Sequence, residues 1–312
     1  MYQYVLRRIL WTIPVLLAVS LITFTLMHVM LLVIPGGPCN PDNSPRPIPV
    51  AAQQACEKEY GLDKPLYFQY IQYIGNLLHG DLGVSTSDSR TVNTIIADDF
   101  PVSAAFGLGA LIIGLGLGIP LGLYCALKRN STLDRVCTSV VTLIIATPNF
   151  IFAILLIILF AVNLHVFYVL FARDRWQSWV LPLSLLAARI AAFMLRFIRG
   201  SVLDILNSDY IRTAHMKGLT NGVIYFRHVL RNALLPLFTL LGPLAADLLT
   251  GSFIVESIFG IPGLGRAFVT SIVARDYPLL MGVTLFYAVL LIAFNLLVDL
   301  SYQIIDPRIT YG

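Results

Sequence analysis

The sequence predicts an all-α integral membrane protein with six transmembrane helices, and three observations lead there. First, 57% of the 312 residues are hydrophobic and only 12% are charged, about half the charged share of an ordinary soluble domain. Second, a helix needs roughly 20 consecutive apolar residues to cross a hydrocarbon core about 30 Å thick. Six intervals, 9–34, 101–127, 136–162, 179–200, 236–258 and 279–304, supply such runs. Third, none of them alternates polar and apolar residues over about ten positions, as a membrane β-strand must.

The first span follows Arg7 and Arg8, stays apolar from Ile9 to Ile34 and ends in Pro35-Gly36-Gly37-Pro38. A secretory signal has a shorter apolar core of about 7 to 15 residues and a small-residue cleavage site, so this segment is expected to remain as a membrane anchor. The long interval that follows divides in two. Residues 35–50 are a Pro-rich irregular lead, and residues 51–79 read as two short helices. In the second of these, Leu66, Tyr70, Tyr73, Ile74 and Leu77 recur at helical spacing. The organisation expected is therefore 1–34 for the N-terminus and first helix, 35–99 for a small extracytoplasmic helical subdomain, and 100–312 for a transmembrane core that includes a loop at 201–235.

Gly114, Gly118 and Gly122 lie four residues apart in the second span and strip one helix face of side chains, which permits close helix packing, either within the chain or at a subunit interface. Pro148, within ATPNF in the third span, removes a backbone hydrogen bond and is expected to kink that helix. Charged residues within the spans are costly and face protein or water; Arg189, Asp247 and Asp299 stand out. Arg189 precedes Arg199 by ten residues, about 15 Å of helix. It either lines a solute path or pairs with Asp247.

Lys and Arg set orientation. The segment from Pro35 to Asp99 carries four basic residues against eight acidic ones, whereas Lys128, Arg129, Arg135, Arg212, Lys217, Arg227 and Arg231 cluster in the alternate loops. Both termini are expected to be cytoplasmic in a multi-pass cell-membrane protein, with lipid around it. Cys39 and Cys56 then fall in an oxidising compartment and are candidates for a disulfide, which would contribute about 3 kcal/mol by loop closure. Cys125 and Cys137 are expected to stay reduced. No HExxH, GxSxG or GxxxxGK[ST] motif and no His/Cys cluster at metal-ligand spacing occurs in the sequence, which argues against a membrane enzyme and against a metal site. Basic and aromatic residues do not interleave as nucleic-acid binding would require. A secondary transporter would carry inverted repeats, and no clear repeat is visible.

The stretch DYIRTAHMKGL, Asp209 to Leu219, is polar, short and punctuated. Asn207, Ser208 or Asp209 offers an N-cap, Lys217 suits the last turn of a helix, and Gly218 suits its C-terminal stop. Tyr210, Thr213, Ala214 and Lys217 share a face on which small residues would allow another protein surface to approach. A second helix starting at Thr220 or Asn221 is expected to run to Pro236. By its residues alone the segment could equally be a basic loop that only sets topology.

RTAHMKG followed by RNALLP resembles the coupling loop of permease subunits of binding-protein-dependent ABC importers, whose pattern is EAA, three residues, Gly, nine residues, then I-x-L-P. Arg212, Thr213 and Ala214 take the EAA places, Gly218 matches the glycine, and Ala233, Leu234, Leu235 and Pro236 take the end. The acidic first position is basic here, and the spacing from Leu219 to Asn232 is fourteen residues. Both departures resemble the peptide and nickel branch, DppB/OppB type. YVLRRILWTIPVLLAVSLITF, YGLDKPLYFQYIQYIGNLLHGDLGVS, IVESIFGIPGLGRAFVTSIVARDYPLLMG and DPRITYG extend the likeness over nearly the whole chain.

This resemblance implies a type I ABC importer permease fold and a non-catalytic role in importing di- and oligopeptides, or alternatively nickel, glutathione or another small solute. It also implies a set of partners: a second homologous permease, two ATPase subunits or one fused ATPase that use ATP and Mg, and an extracytoplasmic peptide-binding protein. The segment Asp209, Tyr210, Arg212, Thr213, Ala214, Lys217 and Gly218 is then the contact with the ATPase. No cofactor is expected in this chain.

Overall fold

A computed structural model describes residues 2–33, 49–59 and 63–305. Thirteen α-helices and two π-helical segments are seen among them, and the one β-pairing is an isolated bridge between Val84 and Thr91. Five helices are long and apolar enough to cross a membrane, or six when one bent pair is counted as a single span. Cys39 lies outside the described residues, as does the side chain of Cys56, and with them the expected disulfide.

Helix α1 (Tyr2–Val33) packs against the last helix, α13 (Tyr277–Ile305). The two short helices expected before the core are present as α2 (Val50–Glu59) and α3 (Leu66–Leu78). Helix α4 (Val92–Leu127) starts earlier than the expected span, because the Thr91 hydroxyl caps it by accepting from the Thr94 amide and Asn93 anchors the preceding turn. The side-chain Asn93 Oδ1 accepts from Leu82 N at 3.1 Å, and Asn93 Nδ2 donates to Gly80 O at 2.7 Å. At 36 residues, α4 is about 54 Å long and projects well beyond a bilayer core.

The centre of the fold is the contact between α4 and α7 (Gln177–Leu206). Gly114, Gly118 and Gly122 form its seam, while Gly107 admits the end of α10 (Arg231–Leu249). A Cβ on Gly114 would lie 2.5 Å from the Ile190 side chain, and one on Gly118 would lie 2.7 Å from the Ala191 carbonyl oxygen. A Cβ on Gly122 would meet Leu195 O at 2.8 Å, and one on Gly107 would meet Leu248 O at 2.5 Å. Of the two uses open to the glycine face, the fold employs it for packing within the chain. Since residue number rises together along the two partners, α4 and α7 run parallel, and their C-terminal ends lie at the same end of the bundle. Ala110, Ile190, Met194, Ile198 and Val202 continue the seam as a buried cluster.

The third expected span is not one helix. Helix α5 (Thr132–Ala146) stops at Thr147, and α6 (Asn149–Leu156) leaves at 112° and continues as a π-helical segment, Ile157–Asn163. Pro148 sits at the break with an extended ψ of 144°; lacking an amide hydrogen, it cannot continue the ladder, so the expected kink is a full break. At its other end α5 is clamped to α7. Ser131 caps it through Asp134 N, and the Asp134 carboxylate takes a bidentate pair from Arg199, Nε at 2.7 Å and Nη2 at 2.9 Å. Asn130 N donates to the same carboxylate at 2.9 Å. The fifth span is interrupted as well. Helix α10 (Arg231–Leu249) is followed by a break at Gly251, with φ +90°, and then by α11 (Phe253–Phe259) and α12 (Leu264–Ala274).

Candidate functional site

At the bundle end where α4 and α7 finish, α8 (Asp209–Met216) forms with a two-residue connection from α7. Ser208 takes the N-cap position with an extended backbone, but its hydroxyl donates back to Ile205 O at 2.6 Å instead of accepting a helix amide. The C-terminus is better defined. Gly218 has φ +76°, Gly218 N donates to His215 O at 2.9 Å and Leu219 N donates to Ala214 O at 3.3 Å, the paired bonds of a Schellman motif. The helix that follows starts after Thr220 as α9 (Asn221–Val223), passes through a π-helical segment Ile224–Leu230 and continues without a break into α10 beyond Pro236.

The inner face of α8 is Ile211 and Ala214, 2% and 8% exposed, packed with Ile198, Val202, Ile224 and Val229. Ala214 is thus turned towards its own chain. The expected seating face of Tyr210, Thr213, Ala214 and Lys217 is corrected accordingly, because Ala214 shares its side of the helix with Ile211 three positions earlier and the apolar pair is drawn into the core. Its small size serves close approach of α8 to α7 and the π segment, and Ala214→Trp would disturb that internal packing. The outward face carries Asp209, Tyr210, Arg212, Thr213, Met216 and Lys217. Asp209 and Arg212 approach to 3.7 Å on a fully solvated surface, an ion pair of little energetic weight. Tyr210 is fixed at its tip, where its hydroxyl accepts from Asn232 Nδ2 at 3.0 Å.

Arg189 and Asp247 are not brought together. Arg189 Nη1 donates to the carbonyl of Thr147 at 3.3 Å, so the guanidinium sits over the carbonyl end of α5 at the break before Pro148, where a cation suits the helix dipole. Asp247 is exposed and makes no ion pair among the described residues. The side chain of Asp299 lies outside the described ones.

Two buried carboxylates organise the opposite end of the bundle, and sequence reading passed over both. Glu256, 4% exposed on α11, accepts from Ser103 Oγ of α4 at 2.8 Å and from Arg266 N at the start of α12 at 2.7 Å. Leu264 N donates in turn to Ser103 Oγ at 2.9 Å. The α11–α12 hairpin is thereby pinned to α4, and Gly263 and Gly265 leave room for the pin: a Cβ on Gly263 would lie 2.5 Å from Ser103 Oγ. The available signal was an acid inside the apolar interval 236–258, followed by glycines at 260, 263 and 265.

The second carboxylate, Asp276, is fully buried between α12 and α13. It accepts from the Ser85 and Ser87 hydroxyls, from Ser87 N at 3.2 Å and from Leu279 N at 3.2 Å. Burial pushes its carboxyl up, but these hydrogen bonds outweigh that effect and leave it below its ordinary value. A depressed carboxyl stabilises the fold above its unfolded value, about 3.9, and that contribution is lost as pH falls through the folded value. Amide exchange at Ser85 to Thr91 is therefore expected to stay slow from pH 7 to pH 5 and to accelerate below about pH 4. Asp276→Asn should remove this pH step and show fast exchange throughout.

A helical bundle built on a glycine seam, with a short bounded helix between two long spans at one end and a pinned hairpin at the other, defines a multi-span helical membrane protein. The chain belongs to the family of binding-protein-dependent transport system inner membrane components: residues 118–311 match that family and residues 1–107 match its N-terminal region. It is 44% identical over 99% of its length to the dipeptide transport system permease protein DppB of Bacillus subtilis, covering 98% of that protein. It is 37% identical to the oligopeptide transport system permease protein OppB of Haemophilus influenzae, with both chains covered in full. The glutathione transport system permease protein GsiC of Escherichia coli is 36% identical, again over both full lengths. Among solved structures, the MetNI methionine ABC transporter in inward-facing conformations superposes with a TM-score of 0.57 at 16% identity, covering 68% of this chain and 96% of that one; that likeness concerns the fold. As a member of this family the chain is a multi-pass membrane protein that works with ATPase and binding-protein partners, ATP hydrolysis lying in the partner subunits.

Proposed function

We propose that this chain is a permease subunit of an ATP-driven importer of di- and oligopeptides. It forms half of the translocation pathway with a second homologous permease and couples to two ATPase subunits, or one fused ATPase, which bind ATP and Mg. A binding protein delivers peptide at the end that carries α2 and α3. Both termini and α8 face the cytoplasm, in keeping with the basic residues around α8 and the acidic excess of residues 35–99. The observation that carries the reading is α8: a helix of eight residues, stopped by a Schellman turn, rooted in its own core by Ile211 and Ala214, with polar side chains facing out. Such a helix moves with α7 and α10 as a unit and can pass a push between the ATPase and the spans. The names of the dipeptide and oligopeptide relatives favour peptide cargo, and the glutathione relatives keep a small peptide-like solute as the second reading.

Gly218→Val tests the coupling role. No atom lies within 4 Å of a Cβ at Gly218, so the cost is purely the left-handed backbone, about 1–2 kcal/mol for a residue with a Cβ and more for a β-branched one. The expected result is normal membrane insertion with loss of solute-stimulated ATP hydrolysis and uptake in the reconstituted assembly. Gly222→Ala, in a helix and equally free of neighbours, should behave as wild type. Wild-type uptake by Gly218→Val at equal expression would leave the segment as a topology signal only.

A further inference from the structure

We infer that α3 is an interfacial membrane helix whose outward apolar face is covered by phospholipid acyl chains. Successive residues turn about 100° around a helix, which sorts α3 into three sectors. Leu66, Tyr70, Tyr73 and Leu77 form the first. Tyr67, Ile71, Ile74 and Leu78 form the second, and within it Tyr67 is 70%, Ile71 64% and Leu78 82% exposed. Gln69, Gln72, Asn76 and His79 fall in the third. That polar sector is tied together beside the helix start: Lys64 Nζ donates to Gln72 Oε1 at 3.3 Å and stands 4.8 Å over the Phe68 ring, while Gln69 Nε2 donates to Lys64 O at 2.7 Å.

Depth decides what covers the apolar sector. Tyr70 reaches α1, where its hydroxyl lies 2.9 Å from Ser20 Oγ and 3.4 Å from Leu17 O, and its ring meets Phe24 edge-on with centroids 5.2 Å apart. Leu17, Ser20 and Phe24 all belong to the membrane-spanning stretch of α1, Leu10–Met27. The Tyr70 side chain therefore reaches down to hydrocarbon depth beside α1 and ties α3 to that span. On α1 itself, Leu17 and Leu21 are half exposed and face outward, so the apolar sector of α3 continues the lipid-facing surface of the span on which it rests. An amphipathic helix with one apolar and one polar side is the form that lies in the plane of a membrane interface, with the polar sector turned to the headgroups and water. The arrangement would brace α1, which otherwise rests mainly on α13.

Photocrosslinking in the intact assembly tests this. Benzoylphenylalanine placed singly at Tyr67, Ile71 or Leu78, and for comparison at Gln72 or Asn76, would be irradiated in native membranes carrying a clickable phospholipid. Phospholipid adducts several-fold above the level at Gln72 and Asn76 are expected at all three apolar positions. Adducts with another polypeptide at those positions would mean that a partner subunit covers the face, and the proposal would fall. It would fall equally if lipid adducts at the apolar and polar positions were the same. Tyr70→Phe supplies an independent readout: it keeps the ring and removes the hydroxyl that reaches Ser20, so lipid adducts from Leu78 should persist with a shifted position on the acyl chain. An unchanged acyl-chain position would argue against Tyr70 setting the depth.

Discussion

Gly118→Leu is expected to prevent assembly of the α4–α7 seam. The new side chain would start 2.7 Å from the Ala191 carbonyl oxygen and 2.6 Å from the Met194 Cβ, and a backbone atom cannot step aside without the two helices separating. Forced overpacking costs about 1–3 kcal/mol where a core can adjust, and the upper part of that range applies where it cannot. The outcome should be little folded protein after detergent extraction and a marked fall in thermal unfolding temperature for what remains. Gly116→Leu is the control. It lies on the opposite side of α4 with no atom within 4 Å of a Cβ, and should extract and unfold like wild type. Equal stability of the two variants would mean that α4 and α7 do not meet through their glycines.

Glu256→Ala is expected to have the second largest effect. Removing the carboxylate leaves Ser103 Oγ and Arg266 N without their acceptor inside the protein, and an orphaned buried donor costs about 1–3 kcal/mol each, to which the cavity adds. The α11–α12 hairpin should detach from α4, seen as fast amide exchange over Leu264 to Thr270, as lower thermal stability and as loss of coupled uptake. Glu256→Gln keeps an acceptor oxygen but turns an amide donor towards the same N–H groups, so an intermediate effect is expected. Slow exchange at the start of α12 in the alanine variant would show that the hairpin is held by its apolar contacts alone, among them Val255 and Phe259 with Leu181 and Phe106.

The family resemblance and the membrane class were legible because they depend on residues close in sequence or on simple composition. The C-terminal bound of α8 could be read from Gly218, since a positive φ is a local backbone property, whereas its start stayed open among Asn207, Ser208 and Asp209, and the Ser208 hydroxyl turns back to Ile205 instead of capping it. The glycine face of α4 could also be read, though not its partner. Ala214 was misassigned because helical spacing gives the faces of a helix without saying which of them meets the core. Pro148 announced a disturbance, yet whether a proline bends a helix or ends it depends on what receives the freed carbonyls, here Arg189 from another helix.

By itself, then, the sequence determined that the chain crosses a membrane about six times, where its short helices stop, and which strip of α4 is bare. Those properties follow from the transfer free energy of each residue and from local backbone preference, and both act over a few neighbouring positions. Only the tertiary structure decided that the bare strip receives α7, that Arg189 serves the α5 break instead of Asp247, and that Glu256 and Asp276 are pins. A buried polar group takes whichever donors the fold brings within about 3 Å. Ser103 and Glu256 are 153 residues apart in the chain, and Ser85 and Asp276 are 191 apart, so their meeting is fixed by how α4, α11, α12 and α13 pack and leaves no periodic trace in the residues between them.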